Sequence, residues 1–445
     1  MKQEITRFAP SPTGHLHLGG ARTALFAWLH AKASNGKFLI RFEDTDKERS
    51  KDEYVKSILS SLLWLGIEPD EPPIFQSKKE TIHQKAALQL LKSGLAYSCD
   101  CSPEQLKSMR EEQIKKQIQP KYDGFNRNNN LPHKQGNVIR FKMSQTGTTS
   151  FEDKILGSIS VQNKELDDFI ILRSDDSPTY NFCAAIDDID MKITHVLRGE
   201  DHVSNTATQI QLFDELNAEI PSFGHHSLMV HKDGSRMSKR TGSMSLRDIR
   251  DAGIEAITLV NYCARIGTSD AVEAYQDTSD LIKNYDLSKI SRSPARYSYE
   301  EIELLNKKIL QNKTFASVKT DLSKLGINDE IAEKFWNIIR SNINSISESQ
   351  KWWDIINKDI RSDLELEDSN FFSIAYDSLP QEPWDDTTWL SWTSEVSKKT
   401  SRKGRELYLP LRLAITGENS GPELASFLLL LGRGKVTERL EFHIK

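Results

Sequence analysis

Two segments far apart in the chain combine the residue types that handle phosphate. The first, RFAPSPTGHLHLGGARTAL, occupies residues 7–25. It sets His15, His17, Gly19 and Gly20 between a short apolar run at 5–8 and a stretch with helical apolar spacing. A strand end, a glycine-containing loop and a helix start gather backbone N–H groups beside the positive end of a helix dipole, which suits a phosphate. Gly19 and Gly20 would let a ligand reach the backbone with no Cβ in the way, and the imidazoles add donors. A plain strand-to-helix connection, with Gly and Pro as turn residues, fits the same letters equally well. The second segment, SRMSKRTG at 235–242, crowds Arg236, Lys239 and Arg240 among small residues with no carboxylate between them. Such cations suit a polyphosphate; a solvated charge run is the alternative. Neither segment is a Walker loop, because G-x-x-x-x-G-K-[ST] is absent.

These segments need elements to position them. The first ~95 residues alternate strand and helix patterns: strands at 5–8 and 37–42, helices at 19–32, 52–65 and 80–93, and Gly94 placed to end the last of these. Strand, loop, helix, strand implies a parallel α/β unit. From 99 to 178 the texture changes. Residues 107–119 are strongly charged, 126–130 are nearly all asparagine, and strands return at 137–141 and 168–172. This reads as an inserted α+β module. The α/β pattern resumes with a strand at 193–198 and a helix at 204–216, followed by the Asp-Gly turn signal of HKDGS at 231–235. SLRD at 245–248 fits a capping box. The rest is helix-patterned, and no internal repeat is present.

Bulk properties narrow the class. At one domain per ~150 residues, 445 residues imply about three domains. With 37% hydrophobic and 28% charged residues, a buried core is feasible and disorder is excluded as the main state. The formal net charge of −5 gives no global attraction to nucleic acid, so a polyanionic partner must be held by local basic patches. No apolar run approaches the ~18 residues that span a bilayer, and residues 1–5 lack a signal-peptide core. Four cysteines, Cys99, Cys101, Cys183 and Cys263, make no disulfide framework. A cytoplasmic protein without membrane association is expected.

Taken together, the two segments resemble the paired signatures of a class I aminoacyl-tRNA synthetase. His17-Leu18-Gly19-Gly20 is similar to the first, and Arg236-Met237-Ser238-Lys239-Arg240 to the second, with Arg236 in place of the usual lysine. RFEDTD (41–46), PTYNF (178–182), HVLRGEDH (195–202) and LPLRLAITG (409–417) resemble, in the same order, the bacterial glutamyl-tRNA synthetases. The resemblance covers essentially the whole chain. It implies an α/β Rossmann-like catalytic domain, a split parallel sheet with an inserted α+β module, followed by an all-α C-terminal anticodon-binding region. The expected spans are 1–98 and 179–242 for the catalytic halves, 99–178 for an acceptor-binding module, 243–310 for a helical stem-contact domain, and 311–445 for the anticodon domain.

The implied activity is ATP-dependent attachment of L-glutamate to the 3′ end of tRNA(Glu) through a glutamyl-adenylate, with AMP and diphosphate released. Activation that waits for tRNA is also implied. By resemblance, His17 and Lys239 are catalytic. His17, Gly19, Gly20, Asp201, Met237, Ser238, Lys239 and Arg240 bind ATP, which brings Mg²⁺ as a substrate complex. Arg7, Ala9, Ser11, Glu43, Tyr180 and Arg198 bind glutamate, with Glu43 on the amino group; which arginine takes the side-chain carboxylate stays open. Physically, a dicarboxylate with an ammonium calls for paired guanidiniums and a fixed carboxylate, and in-line displacement at phosphorus calls for positioning and charge stabilisation. A strand-end salt bridge is the alternative for Arg7 and Glu43, and a core tyrosine for Tyr180.

Cys99-Asp100-Cys101 is half a tetrahedral zinc site. Some bacterial relatives complete it just after YDG, but here those positions are Asn126 and Asn128, with His133 nearby. No protein-held metal, zinc included, is therefore expected. Arg402, Lys403, Arg405 and Arg412 form a candidate tRNA-phosphate patch, and Trp352-Trp353 reads as core packing ahead of base stacking. A monomer is expected. Competing readings are a non-discriminating enzyme that also charges tRNA(Gln), glutamylation of a modified tRNA base, a nucleotidyltransferase of the wider superfamily, and a catalytically inert tRNA-binding protein.

Overall fold

The computed structural model describes residues 3–118, 120–235, 245–328, 330–358 and 369–444. The chain divides into two units, Met1–Ile249 with Leu259–Ser298 and Arg250–Thr258 with Tyr299–Lys445. No helix among the described residues is long and apolar enough to cross a membrane.

The first unit begins with β1 (Ile5–Phe8), α1 (Leu18–Ala33), β2 (Lys37–Phe42), α2 (Asp52–Trp64), β3 (Ile74–Phe75) and α3 (Glu80–Lys92). α1 is buried nearly all round, and its alanines (Ala21, Ala24, Ala27, Ala31) let neighbouring elements approach closely. α3 ends as its sequence implies. Gly94 takes φ 77°, its amide bonds the Leu91 carbonyl, and the Leu95 amide bonds that of Leu90, which is the Schellman pattern. Then come β4 (Ala96–Cys99), α4 (Pro103–Lys115), β5 (Val138–Phe141), β6 (Thr148–Asp153), β7 (Gly157–Gln162), β8 (Ile170–Leu172), α5 (Tyr180–Asp190), β9 (His195–Gly199), α6 (Val203–Glu215), β10 (Ser222–His226), β11 (Met229–His231) and β12 (Ala295–Tyr297).

Seven of these strands form one sheet in the order β3-β2-β1-β9-β10-β6-β7. It is parallel except for the β6–β7 hairpin. From β1 the chain winds one way through β2 to β3. From β9 it winds the other way to β10. The winding therefore reverses between β1 and β9, and a crevice opens beyond the carboxyl ends of the strands at such a point.

The span expected to form a separate inserted module does not stay separate. β6 and β7 extend the main sheet through the pairing of Phe223 with Asp153, while β4, β5 and β8 form their own antiparallel sheet. The Asp153 carboxylate makes this join. It accepts the amides of Ile155 and Leu156 at its own hairpin turn and that of His225 on β10. The unit boundaries near 250–258 and 298 likewise cut across the 243–310 span. Ser245 and Asp248 form the reciprocal capping bonds read from SLRD.

Among its described residues the second unit is helical. Its core is built on Phe335, Trp336 and Trp392, all essentially fully buried. Trp352 meets Phe427 edge-on at 5.7 Å and Trp353 meets Phe335 at 5.0 Å, so the tryptophan pair is core. Gly421 closes over Trp352, where a Cβ would stand 2.0 Å from the ring. The four cations of the candidate phosphate patch part company here. Lys403 and Arg405 are exposed. Arg402 lies over the Phe371 ring at 4.4 Å, and Arg412 turns inward to donate to the Pro422 carbonyl at 2.9 Å.

Candidate active site

A cavity of about 750 Å³ opens beyond the carboxyl ends of β1 and β9, at the reversal of winding. Arg7, Ala9, Ser11, His17, Gly19, Gly20, Tyr180, Arg198 and Asp201 all line it. Glu43 does not. It is buried behind the wall, with Oε1 accepting from Arg41 Nη2 at 3.1 Å. Burial pushes its carboxyl above the usual range, opposed by the Arg41 guanidinium. The expected phosphate loop at Met237, Ser238, Lys239 and Arg240 lies outside the described residues.

His17 does two things at the mouth of α1. It is the N-cap, and its Nδ1 accepts the Gly20 amide at 3.1 Å. An accepting Nδ1 carries no proton in the neutral ring, so Nε2–H is the ring's donor. The first-turn amides of Leu18 and Gly19 have no intrahelical acceptor. The glycines here serve a purpose other than the one their letters suggest. A Cβ at Gly19 would sit 3.2 Å from His17 Nδ1, and one at Gly20 would sit 2.8 Å from Leu16 Cδ1. The space they leave is filled by the protein's own side chains, which fold the imidazole back over the helix start. His15 is engaged elsewhere, 2.8 Å from Ser57 Oγ.

The two arginines are held differently. Arg7 donates through Nε and Nη2 to Asp188 at 3.1 and 3.4 Å, and Arg41 shares the same carboxylate at 2.5 Å. Burial would raise the Asp188 pKa, but the Arg41 and Arg7 guanidiniums more than offset it and hold the group below the usual range. Arg198 has only neutral partners: His225 Nε2 at 3.1 Å, Thr206 Oγ1 at 2.8 Å and Gln209 Oε1 at 3.0 Å. Among the described residues no carboxylate stands within ion-pair reach of it. Burial draws its pKa down to about 10, so it stays charged at neutral pH. His225 Nδ1 in turn lies 2.6 Å from Asp153 Oδ2, with both side chains fully buried. Because Nε2 must accept from the Arg198 Nε–H, Nδ1–H donates to Asp153, and the carboxylate fixes the tautomer. Tyr180 opens α5, with its hydroxyl 3.5 Å from His202 Nδ1. Burial pushes its phenol up to about 12.

Asp153, His225, Thr206, Gln209 and Asp188 were not singled out from sequence. Asp188 leaves a trace, since it sits with Asp187 inside the apolar run of α5 and both are buried. Asp153 and His225 leave none, being 72 residues apart on strands whose adjacency is set only by the sheet.

Two predictions arise here. Asp153→Asn removes the charge that fixes the His225 tautomer. Hydrogen bonds to charged groups contribute ~1.5–3 kcal/mol, so if the resemblance places glutamate on Arg198 correctly, KM for glutamate rises at least tenfold while KM for ATP stays within about twofold. Steady-state titration of each substrate reads the difference. The second concerns His226, whose pKa is lowered to about 3 by burial and by Arg22. The unfolded imidazole titrates near 6.5, so between these values the unfolded chain binds the extra proton. Stability is therefore complete above pH 6.5 and falls as pH drops toward 3, by about 1.4 kcal/mol per pH unit for this group. Urea unfolding at pH 7, 6 and 5 measures the slope, and His226→Gln flattens it by about one proton.

Cys99 is buried, with Sγ 3.2 Å from Asn126 Oδ1 and 3.4 Å from the Tyr122 hydroxyl. Asn126 Nδ2 reaches back to Asp100 at 3.1 Å. The asparagine at the expected ligand position thus closes the turn by hydrogen bonds.

Residues 4–311 match the profile of a family described as tRNA synthetases class I (E and Q), catalytic domain. Residues 355–444 match that of an anticodon binding domain. The chain is 40% identical over 450 residues to glutamate–tRNA ligase 1 of Chelativorans sp., across 97% of this chain and 98% of that protein. It is 39% identical over 451 residues to glutamate–tRNA ligase 1 of Brucella ovis, with the same coverage. Its fold is similar to a crystal structure of a glutamate tRNA ligase from Elizabethkingia meningosepticum in complex with its amino acid. That match has a TM-score of 0.87 and 27% identity, across 100% of this chain and 99% of that one.

Proposed function

The chain belongs to the class I tRNA synthetases for glutamate and glutamine and is a glutamate–tRNA ligase, and from that premise we propose how its cavity divides the work. Arg198 takes the side-chain carboxylate of glutamate. The observation that carries this is a buried guanidinium, charged, facing the cavity, with only neutral partners. A buried charge without a counter-ion is unfavourable, and a substrate carboxylate supplies the missing anion. Arg7, already neutralised by Asp188, sits beside it with Tyr180 and steers the α-carboxylate. Ala9 and Ser11 supply backbone and hydroxyl contacts. Glu43 acts on the ammonium as a buried negative field behind the wall.

The α-carboxylate attacks the α-phosphorus of ATP, diphosphate leaves, and the acyl group then passes to a terminal ribose hydroxyl of the tRNA, releasing AMP. Mg²⁺ arrives with ATP as part of the substrate. His17 Nε2–H and the N-terminus of α1 stabilise the charge that develops on the phosphates; the resemblance assigns Met237, Ser238, Lys239 and Arg240 to the same phosphates, and Asp201 lines the cavity. Residues 99–178 meet the acceptor end, 243–310 the stem, and 311–445 the anticodon, where exposed Lys403 and Arg405 meet phosphate. The match to an anticodon binding domain favours this over transfer to a modified base by a shorter relative.

Aminoacylation of purified tRNA(Glu) and tRNA(Gln) with labelled glutamate and glutamine, with and without ATP, tests the reading. ATP-dependent labelling of tRNA(Glu) by glutamate alone is expected, and labelling by glutamine would overturn the assignment of Arg198. Glutamate on tRNA(Gln) would identify a non-discriminating enzyme.

A further inference from the structure

At the end of β1 away from the cavity, three side chains from distant parts of the chain converge. Glu4 precedes β1, His30 lies in the last turn of α1, and His195 opens β9. The pairing of Thr6 with His195 and the bonds between Thr194 and Ile5 fix the two strands here. His30 Nε2 stands 3.0 Å from Glu4 Oε2 and His195 Nδ1 3.9 Å from the same oxygen. The two imidazole rings are 4.7 Å apart between centroids. One ligand atom from each residue lies within 4.8 Å of the others.

We propose that Glu4, His30 and His195 form a binding site for a divalent metal ion of the zinc class. Two imidazoles and a carboxylate are donors suited to Zn²⁺, at about 2.0–2.2 Å each, which in a tetrahedron sets the ligand atoms roughly 3.3–3.5 Å apart. The 3.0 and 3.9 Å separations bracket that spacing; His195 Nδ1, which lies 2.9 Å from Thr194 Oγ1, exchanges that contact for the metal as small side-chain rotations complete three corners, and water takes the fourth. A second observation points the same way. Glu4 Oε2 and His30 Nε2 are both buried and make no hydrogen bond, despite facing each other at 3.0 Å. The contact lacks the alignment of an N–H···O bond, so a shared cation would satisfy both atoms better than they satisfy each other. The exposed Lys154 opposes a cation here, and its long stem allows it to withdraw into solvent. Bound metal would tie the start of β1, the end of α1 and the start of β9 together, remote from the cavity where ATP brings Mg²⁺.

The test uses the full chain, stripped with a chelator and titrated with ZnCl₂ by calorimetry and by competition with a chromophoric chelator. One Zn²⁺ per chain with micromolar affinity or tighter is expected. His30→Ala and His195→Ala should each weaken it at least tenfold, and Glu4→Gln should weaken it too. Co²⁺ should give visible bands of nitrogen and oxygen ligands with no thiolate charge-transfer band. Should His30→Ala fail to fold, His195→Asn carries the same comparison. Absence of stoichiometric uptake, unchanged affinity in the histidine variants, or a thiolate band, which would place the ion at Cys99 and Cys101, overturns the proposal.

Discussion

Arg198→Ala lowers kcat/KM for glutamate by about a thousandfold and leaves KM for ATP within about threefold of wild type. The size follows from burial and charge. Truncating one partner of a buried, hydrogen-bonded charge pair costs about 2–5 kcal/mol, or roughly thirtyfold to several thousandfold. Here the upper part of that range applies, because the other partners of Arg198 are neutral and the proposed reading makes the substrate carboxylate its counter-ion. Arg198→Lys should recover little. Nε and Nη2 hold the group to His225, Thr206 and Gln209, and an ammonium cannot reproduce that planar fork. Glutamate-dependent ATP–diphosphate exchange in the presence of tRNA measures the effect, and an unaltered KM and kcat for glutamate would take Arg198 out of the pocket. The dependence on Asp153 distinguishes this from general damage. Asp153→Asn should add little to Arg198→Ala, because both act on one carboxylate contact.

The local rules of the chain made much of the fold legible. α1, α2, α3 and β2 fall within a residue or so of their expected bounds, since each carries its own periodicity and its own start or stop signal. The Schellman end at Gly94 and the capping box at Ser245 are local chemistry. What was not legible is non-local. β6 and β7 lie inside the span read as an insertion and were not named as strands, and nothing in TTSFED or GSISVQ names a partner. Their place in the main sheet depends on β10, some 70 residues later, and strand placement is decided by such context.

The site divides in the same way. Residues beside a strand end or helix start, such as Arg7, His17, Tyr180 and Arg198, line the cavity; they could be picked out because the motifs that hold them are contiguous, and the roles given to them rest on resemblance. The groups that hold those residues come from other elements: Asp188 from α5, His225 from β10, Asp153 from β6. Glu43 shows the limit from the other side. Its sequence position is that of a substrate contact, yet Arg41 takes one of its oxygens behind the cavity wall. Glu4, His30 and His195 carry no spacing signal, being 26 and 165 residues apart in turn.

His17→Ala slows adenylate formation by about a hundred- to a thousandfold, the effect of removing one preorganised donor from a developing oxyanion. The same substitution removes an N-cap and lowers stability by about 1 kcal/mol, so a fall in activity alone would be ambiguous. His17→Asn separates the two. Asparagine is among the best N-cap residues, and its side-chain oxygen can accept the Gly20 amide as His17 Nδ1 does, while its amide is too short to place a donor where Nε2–H stands. The urea midpoint should therefore return to wild type in His17→Asn with the rate still depressed at least a hundredfold, both read on one preparation by unfolding and by single-turnover adenylate formation with tRNA bound. Recovery of both would make the imidazole a cap and nothing more. Lys239→Ala should slow the same step by a similar factor, since the proposed reading gives it the same phosphates. If both groups stabilise one triphosphate as proposed, the double variant His17→Asn with Lys239→Ala should fall short of the product of the two effects.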